Sequence, residues 1–151
     1  MATGPTDTLC PSIDSRRTYA AHIYESQGTG GHELVGSGDC VELVKAYAPG
    51  LKGTTTSVWR PGERVVDIAH KLAPGTAIAT FENGRYPHST TGQHAAFFVS
   101  SAGAGMWVMD QWKNDPHKPV VSLRHIARKG KSKDGQWKDP SNNAEAFSVI
   151  E

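Results

Sequence analysis

A cysteine can act as a nucleophile, a histidine can carry its proton, and a carboxylate can orient the histidine. Cys40, His94 and Asp110 are the residues of this 151-residue sequence whose surroundings suit those three roles. Cys40 follows the glycine-rich run QGTGGHELVGSG (27–38) and lies at the start of DCVELVKAYAPG (39–50). In that segment Cys40, Val41, Val44 and Ala48 fall near one helical stripe, with Leu43 and Tyr47 beside it, and Pro49-Gly50 stops the helix. The helix begins within a residue or two of Asp39, so Cys40 lies in its first turn. Unpaired N–H groups and the positive end of the helix dipole favour a thiolate there. The same N–H groups, that of Cys40 included, can donate to an oxyanion. Taken alone, a cysteine at this place is as readily a small core hydrophobe.

His94 opens HAAFFVS (94–100), and Asp110 interrupts the apolar run of MWVMDQW (106–112). Both segments read as strands, joined through the small-residue tip SAGAG. A carboxylate inside a buried strand needs a partner, since an unpaired buried charge costs on the order of several kcal/mol. Pairing Phe98 with Met106 in an antiparallel hairpin sets His94 directly across from Asp110, on one face. A slip of one residue would bring Met109 or Gln111 opposite instead, so Gln111 stands as the alternative third member.

The elements that must position these groups follow from pattern. Residues 1–14 read as an irregular arm and 15–25 as a short helix. Trp59-Arg60-Pro61-Gly62 reads as a turn and 65–72 as another short helix. TAIATF (76–81), VVSLRHI (120–126) and AFSVI (146–150) complete a set of strands, and 127–143 is a basic, polar excursion. Helices followed by strands indicate an α+β domain, with N-terminal helices packed on an antiparallel sheet. A chain of this length buries roughly 68–70% of its unfolded surface, enough for one core and a single domain over 1–151.

At these residues the sequence resembles the papain-like NlpC-type and CHAP cysteine amidases. The matching motifs are GSGDCV (36–41), the TAIATF strand after Pro74-Gly75, GQHAA (92–96) and VMDQ (108–111). The order is cysteine on a helix, histidine on a strand and acid on the next strand. Within that superfamily it is most like the amidase effectors of bacterial type VI secretion. The resemblance implies a papain-like fold, Cys40 as nucleophile, His94 as base and Asp110 as orienter. It also implies a substrate: an amide bond of the peptidoglycan stem peptide, either between D-glutamate and diaminopimelate or at the crosslink. A cognate immunity protein would be a further partner, and the site of action would be the periplasm of a target cell.

Composition narrows the alternatives. Sixteen Lys and Arg stand against 15 Asp and Glu, a net charge of +1, so no nucleic-acid partner is expected. The longest apolar run is Ala95–Val99, far short of the roughly 20 residues of a membrane helix, so membrane insertion is not expected. The first residues show no basic stretch followed by an apolar one, so no Sec signal is expected. Two cysteines, Cys10 and Cys40, do not make a disulfide scaffold, and a Cys10–Cys40 bond would block the nucleophile. Without C-x-x-C, H-E-x-x-H or a phosphate-binding glycine loop, neither metal nor organic cofactor is expected. Arg124, Arg128, Lys129, Lys131, Lys133 and Lys138 read as part of a solvated loop, and Trp59 and Trp112 as core. Two rivals remain: the same thiol chemistry on another acyl or protein substrate, and a catalytically silent binding domain with Cys40 as core filler.

Overall fold

A computed structural model of the protein describes residues 32–89, 91–116 and 120–151. The expected arm, the helix over 15–25 and Cys10 lie outside these residues. Seven strands form one sheet: β1 (His32–Glu33), β2 (Pro61–Arg64), β3 (Thr76–Thr80), β4 (Ala95–Ala102), β5 (Gly105–Asp110), β6 (Val120–Ala127) and β7 (Phe147–Ile150). Their spatial order is β1-β6-β5-β4-β3-β7-β2, and every neighbouring pair is antiparallel. Among the described residues the sheet is accompanied by helix α1 (Cys40–Tyr47), the single turn α2 (Val65–Ile68) and four short 3-10 turns. The fold class is the expected α+β.

Both faces of the central strands are covered, and β3 and the first half of β4 are buried without a break. On one face Ala77, Ala79, Ala95, Phe97 and Met109 pack with Leu43, Val44 and Ala48 of α1 and its end. The three alanines leave room for the helix backbone to come close to the sheet. On the other face Ile78, Ala96, Phe98, Met106, Val108 and Ile126 pack with Val65, Ala144 and Phe147. Alternation along each strand sends neighbours to these two opposite layers.

Five expectations need correction. Pro61-Gly62 is not a free turn but the start of edge strand β2, where Pro61 pairs with Ile150. A proline, lacking a donor, is tolerated at that margin of a sheet. The helix over 65–72 shrinks to one turn, α2, and the glycine-rich run contains the two-residue strand β1. The hairpin closes through Gly103 and Ala104, between the paired residues Ala102 and Gly105. Its register is also different: Phe98 pairs with Val108, not Met106, and a bulge at Val99 separates this stretch from the pairs nearer the turn. Continuing the ladder from Phe97–Met109 puts Ala96 opposite Asp110, so His94 is a diagonal neighbour. On this side of the bulge the shift is even, so His94 and Asp110 keep their shared face.

Gly105 is a constraint on this hairpin, because a side chain there would run into the Ile126 carbonyl and the Ala127 backbone of β6. Gly105→Ala is therefore expected to lower unfolding stability by about 1–3 kcal/mol, through overpacking. Urea melts should show a lower midpoint at unchanged slope. A midpoint equal to the parent's would mean that β5 and β6 are not so closely apposed.

Candidate active site

Cys40 is the first residue of α1, and Asp39 precedes it in extended conformation as the cap. The approach folds back through Gly38, buried and at φ +87°, where an added Cβ would crowd Lys113. Five contacts stitch this approach to the chain after β5. Gln111 accepts from Val35 N–H at 2.7 Å and donates to the carbonyls of Val35 and Asp39 at 3.0 and 2.7 Å. The Lys113 N–H donates to the Gly38 carbonyl at 3.0 Å, and its ammonium meets Asp39 at 3.0 Å. Alternation explains the division: Gln111 turns to the layer of α1, while Asp110 turns to the other. Gln111, the alternative third member, thus spends its amide on the helix approach.

His94 lies immediately before β4, its N–H donating to Thr80 Oγ1 at 3.0 Å and its carbonyl accepting from Thr80 N–H at 2.9 Å. The ring is buried, edge-on to Phe147. Its Nε2–H donates to Asp110 Oδ2 at 2.7 Å, leaving Nδ1 for the thiol. Cys40 is buried beside His94, with its sulfur 3.7 Å from the Tyr86 hydroxyl. Asp110 has no solvent exposure. Its Oδ2 also accepts from Arg124, from Nε at 2.9 Å and from Nη2 at 2.8 Å.

These contacts set the charges. Burial pushes the Cys40 thiol up, but the His94 hydrogen bond and charge, the Tyr86 hydroxyl and the Ala95 backbone bring it below the ordinary thiol value. Burial pushes His94 down, while the bonds and charges of Asp110 and Cys40 raise it to about 9. Burial and the facing Cys40 sulfur raise Tyr86, which keeps its hydroxyl protonated as a donor. The two shifts run towards a thiolate beside an imidazolium.

The pair lies in a cleft of about 600 Å³, bordered by Trp112, His88, Asp115 and Asn142 among others. Trp112, expected in the core, is 37% exposed on this border, whereas Trp59 is fully buried against Tyr86 as expected. Among the described residues, no three His, Cys, Asp or Glu side chains come together to hold a metal ion.

Sequence reasoning missed Tyr86 and misread Arg124. Tyr86 is the lone aromatic of the polar stretch ENGRYPHSTTGQ, and a tyrosine buried from such a stretch needs a partner for its hydroxyl. Arg124 belongs to β6, opposite Val108, and reaches diagonally to Asp110. One acid and one base interrupting two adjacent apolar strands is the signal that would have paired them. The rest of the basic excursion is tied down by Asn143, whose amide donates to the Gly130 and Lys138 carbonyls and accepts from Lys129 and Glu145 N–H groups.

A helix-borne thiol meeting an imidazole and a carboxylate at the end of an antiparallel sheet makes this a papain-like α+β protein. The chain belongs to the domesticated amidase effector 2 family, whose model matches residues 13–150. It is 39% identical over 135 residues to a type VI secretion amidase effector 2 protein of Salmonella typhi, covering 87% of this chain and 95% of that one. It is 35% identical over 113 residues to domesticated amidase effector 2 of Ixodes scapularis, covering 75% of this chain and 70% of that one. Among solved structures it resembles type 6 secretion amidase effector 2 at a TM-score of 0.72 and 40% identity, covering 84% of this chain and 91% of that one. The resemblance to the amidase-effector branch, read from the motifs, is borne out.

The two shifted groups predict a pH window. His94, raised above its ordinary 6.5, keeps its proton fully below that value and loses it as pH climbs through about 9. Cys40, lowered, holds its thiolate above its shifted value and loses it only as pH falls through that value. Iodoacetamide labelling of Cys40, read by peptide mass mapping, should therefore reach half its maximal rate at a lower pH than an ordinary thiol does. Labelling that rises only near the usual thiol range would contradict the paired state.

Proposed function

We propose that this single domain is a peptidoglycan amidase of the cysteine-peptidase type, delivered as an antibacterial effector. The observation that carries the reading is Cys40 beside His94 in one cleft, with the His94 ring hydrogen-bonded to Asp110, in a chain that belongs to an amidase-effector family. In the reaction, the Cys40 thiolate attacks the carbonyl carbon of a stem-peptide amide. The oxyanion is met by backbone N–H groups at the start of α1, that of Cys40 included. His94 gives its Nδ1 proton to the leaving amine, and a thioester remains on Cys40. Water, deprotonated by His94, then attacks the thioester and releases the acid. Asp110 holds the ring and balances the imidazolium.

Digestion of purified peptidoglycan followed by mass spectrometry tests this and identifies the bond. Cys40→Ala and His94→Ala are each expected to abolish cleavage with the fold intact. The double mutant should be no worse than either single one, since the two act as a unit. Asp110→Asn should lower the rate by a smaller factor than loss of Cys40. Retained turnover in Cys40→Ala would remove the cysteine mechanism.

Delivery is tested in cells. Cytoplasmic expression in a bacterium is expected to be tolerated, whereas the same protein with an added Sec leader should lyse the culture, and Cys40→Ala should cancel the lysis. A cognate immunity protein is expected to cover the cleft around Cys40 and His94, over roughly 1,200–2,000 Å² in total. Equal toxicity with and without the leader would redirect attention to a cytosolic acyl substrate.

A further inference from the structure

Arg124 is half-buried in the cleft wall, and its guanidinium is engaged on two sides. Inward, Nε and Nη2 donate to the one oxygen of Asp110 that also receives the His94 ring. Outward, Nη1 donates to Asn142 Oδ1 at 2.7 Å, and Nη2 reaches the Ser141 carbonyl at 3.4 Å. Asn142 is itself held, donating to both oxygens of Asp139 at 3.1 and 3.2 Å. Asp139 in turn meets the Lys129 ammonium at 2.9 Å. A rigid planar fork thus spans from the turn before β7 to the carboxylate behind His94.

We infer that Arg124 is a positioning residue for Asp110: sharing Oδ2 with His94 while anchored on Asn142, it fixes the carboxylate's rotamer and takes up part of its charge. The inference rests on the amidase reading of Cys40 and His94. A buried carboxylate facing only an imidazolium would hold that proton tightly, and the proton must leave for the departing amine. Arg124 offsets part of the attraction. The other charged and titratable groups around the pair are Asp39, Cys40 and Lys45 at α1, Tyr86 and His88 in the connection before β4, Asp115 after β5 and Asp139 before β7. Arg124 is the cation among them that touches Asp110.

The test separates charge from geometry. The His94 ring is followed by NMR titration of its Cε1 proton, assigned by its loss in His94→Gln, so the readout needs no substrate. Peptidoglycan hydrolysis is measured in parallel against pH. In Arg124→Gln the His94 midpoint should rise by roughly 0.5–1 pH unit, the alkaline limb of hydrolysis should rise with it, and kcat should fall on the order of 10–100-fold. Arg124→Lys restores the charge without the fork, so the midpoint should return towards the parent's while kcat stays low. Asn142→Leu, which keeps the guanidinium and removes its outer anchor, serves if Arg124→Gln does not fold. There the midpoint should hold and kcat should drop several-fold. An unmoved midpoint in Arg124→Gln, or parental kcat in both Arg124→Lys and Asn142→Leu, would overturn the inference. A His94 midpoint near its ordinary value in the parent, with no hydrolysis, would instead count against the amidase reading itself.

Discussion

Asp110 is a carboxylate without solvent exposure on an inner strand, and that burial governs its neighbourhood. An uncompensated charge there would cost several kcal/mol, on the order of a whole domain's margin of stability. Its direct cross-strand neighbours cannot help: Ser122 lies opposite on β6, and the β4 ladder continues to Ala96. Both counter-charges therefore come diagonally. His94 arrives from the side of Trp112, and Arg124 from the side of Val108, so three donors from two strands converge on one oxygen. That convergence pins β4, β5 and β6 in one register, in addition to what their apolar faces specify.

The second constraint is placement of the helix start against this sheet end. Cys40 and His94 belong to different layers, and they meet because α1 begins where β4 begins. Small residues under the helix, Ala77, Ala79 and Ala95, let it sit close. Gln111, one residue beyond Asp110 and facing the opposite way, grips the backbone of Val35 and Asp39 and fixes the approach to Cys40. Two adjacent polar residues at the end of β5 thus serve the two halves of the site: one holds the histidine and the other holds the chain that presents the thiol.

Much of this was legible in the sequence, for physical reasons that differ by residue. The helix at Cys40 announced itself by its stripe and its Pro-Gly stop. Asp110 announced itself as a charge in an apolar run, which implied a partner even though the register assumed for the hairpin was wrong. The bulge at Val99 leaves no mark in composition, and it is what displaced the pairing. Because the net error was two residues, the face assignment survived it; an error of one would have sent His94 and Asp110 apart. Tyr86 was obscured because it sits in a polar segment, and Arg124 because a basic segment follows its strand and drew it into a solvated group. Average character says little about a single side chain that folds inward.

The proposed reaction places opposing demands on the carboxylate. Orienting the ring favours a short, strong bond from Asp110, yet the same bond raises the basicity of His94, already brought to about 9 with the help of the thiol. A general acid far above the working pH gives its proton up reluctantly. Solvent could moderate Asp110, but exposure would cost the fixed geometry. A second donor from the protein moderates it in a dry site, and a guanidinium is the side chain that keeps its charge there. The position of Arg124 on β6 resolves the conflict: it completes the charge balance of a buried acid and leaves the His94–Asp110 bond in place.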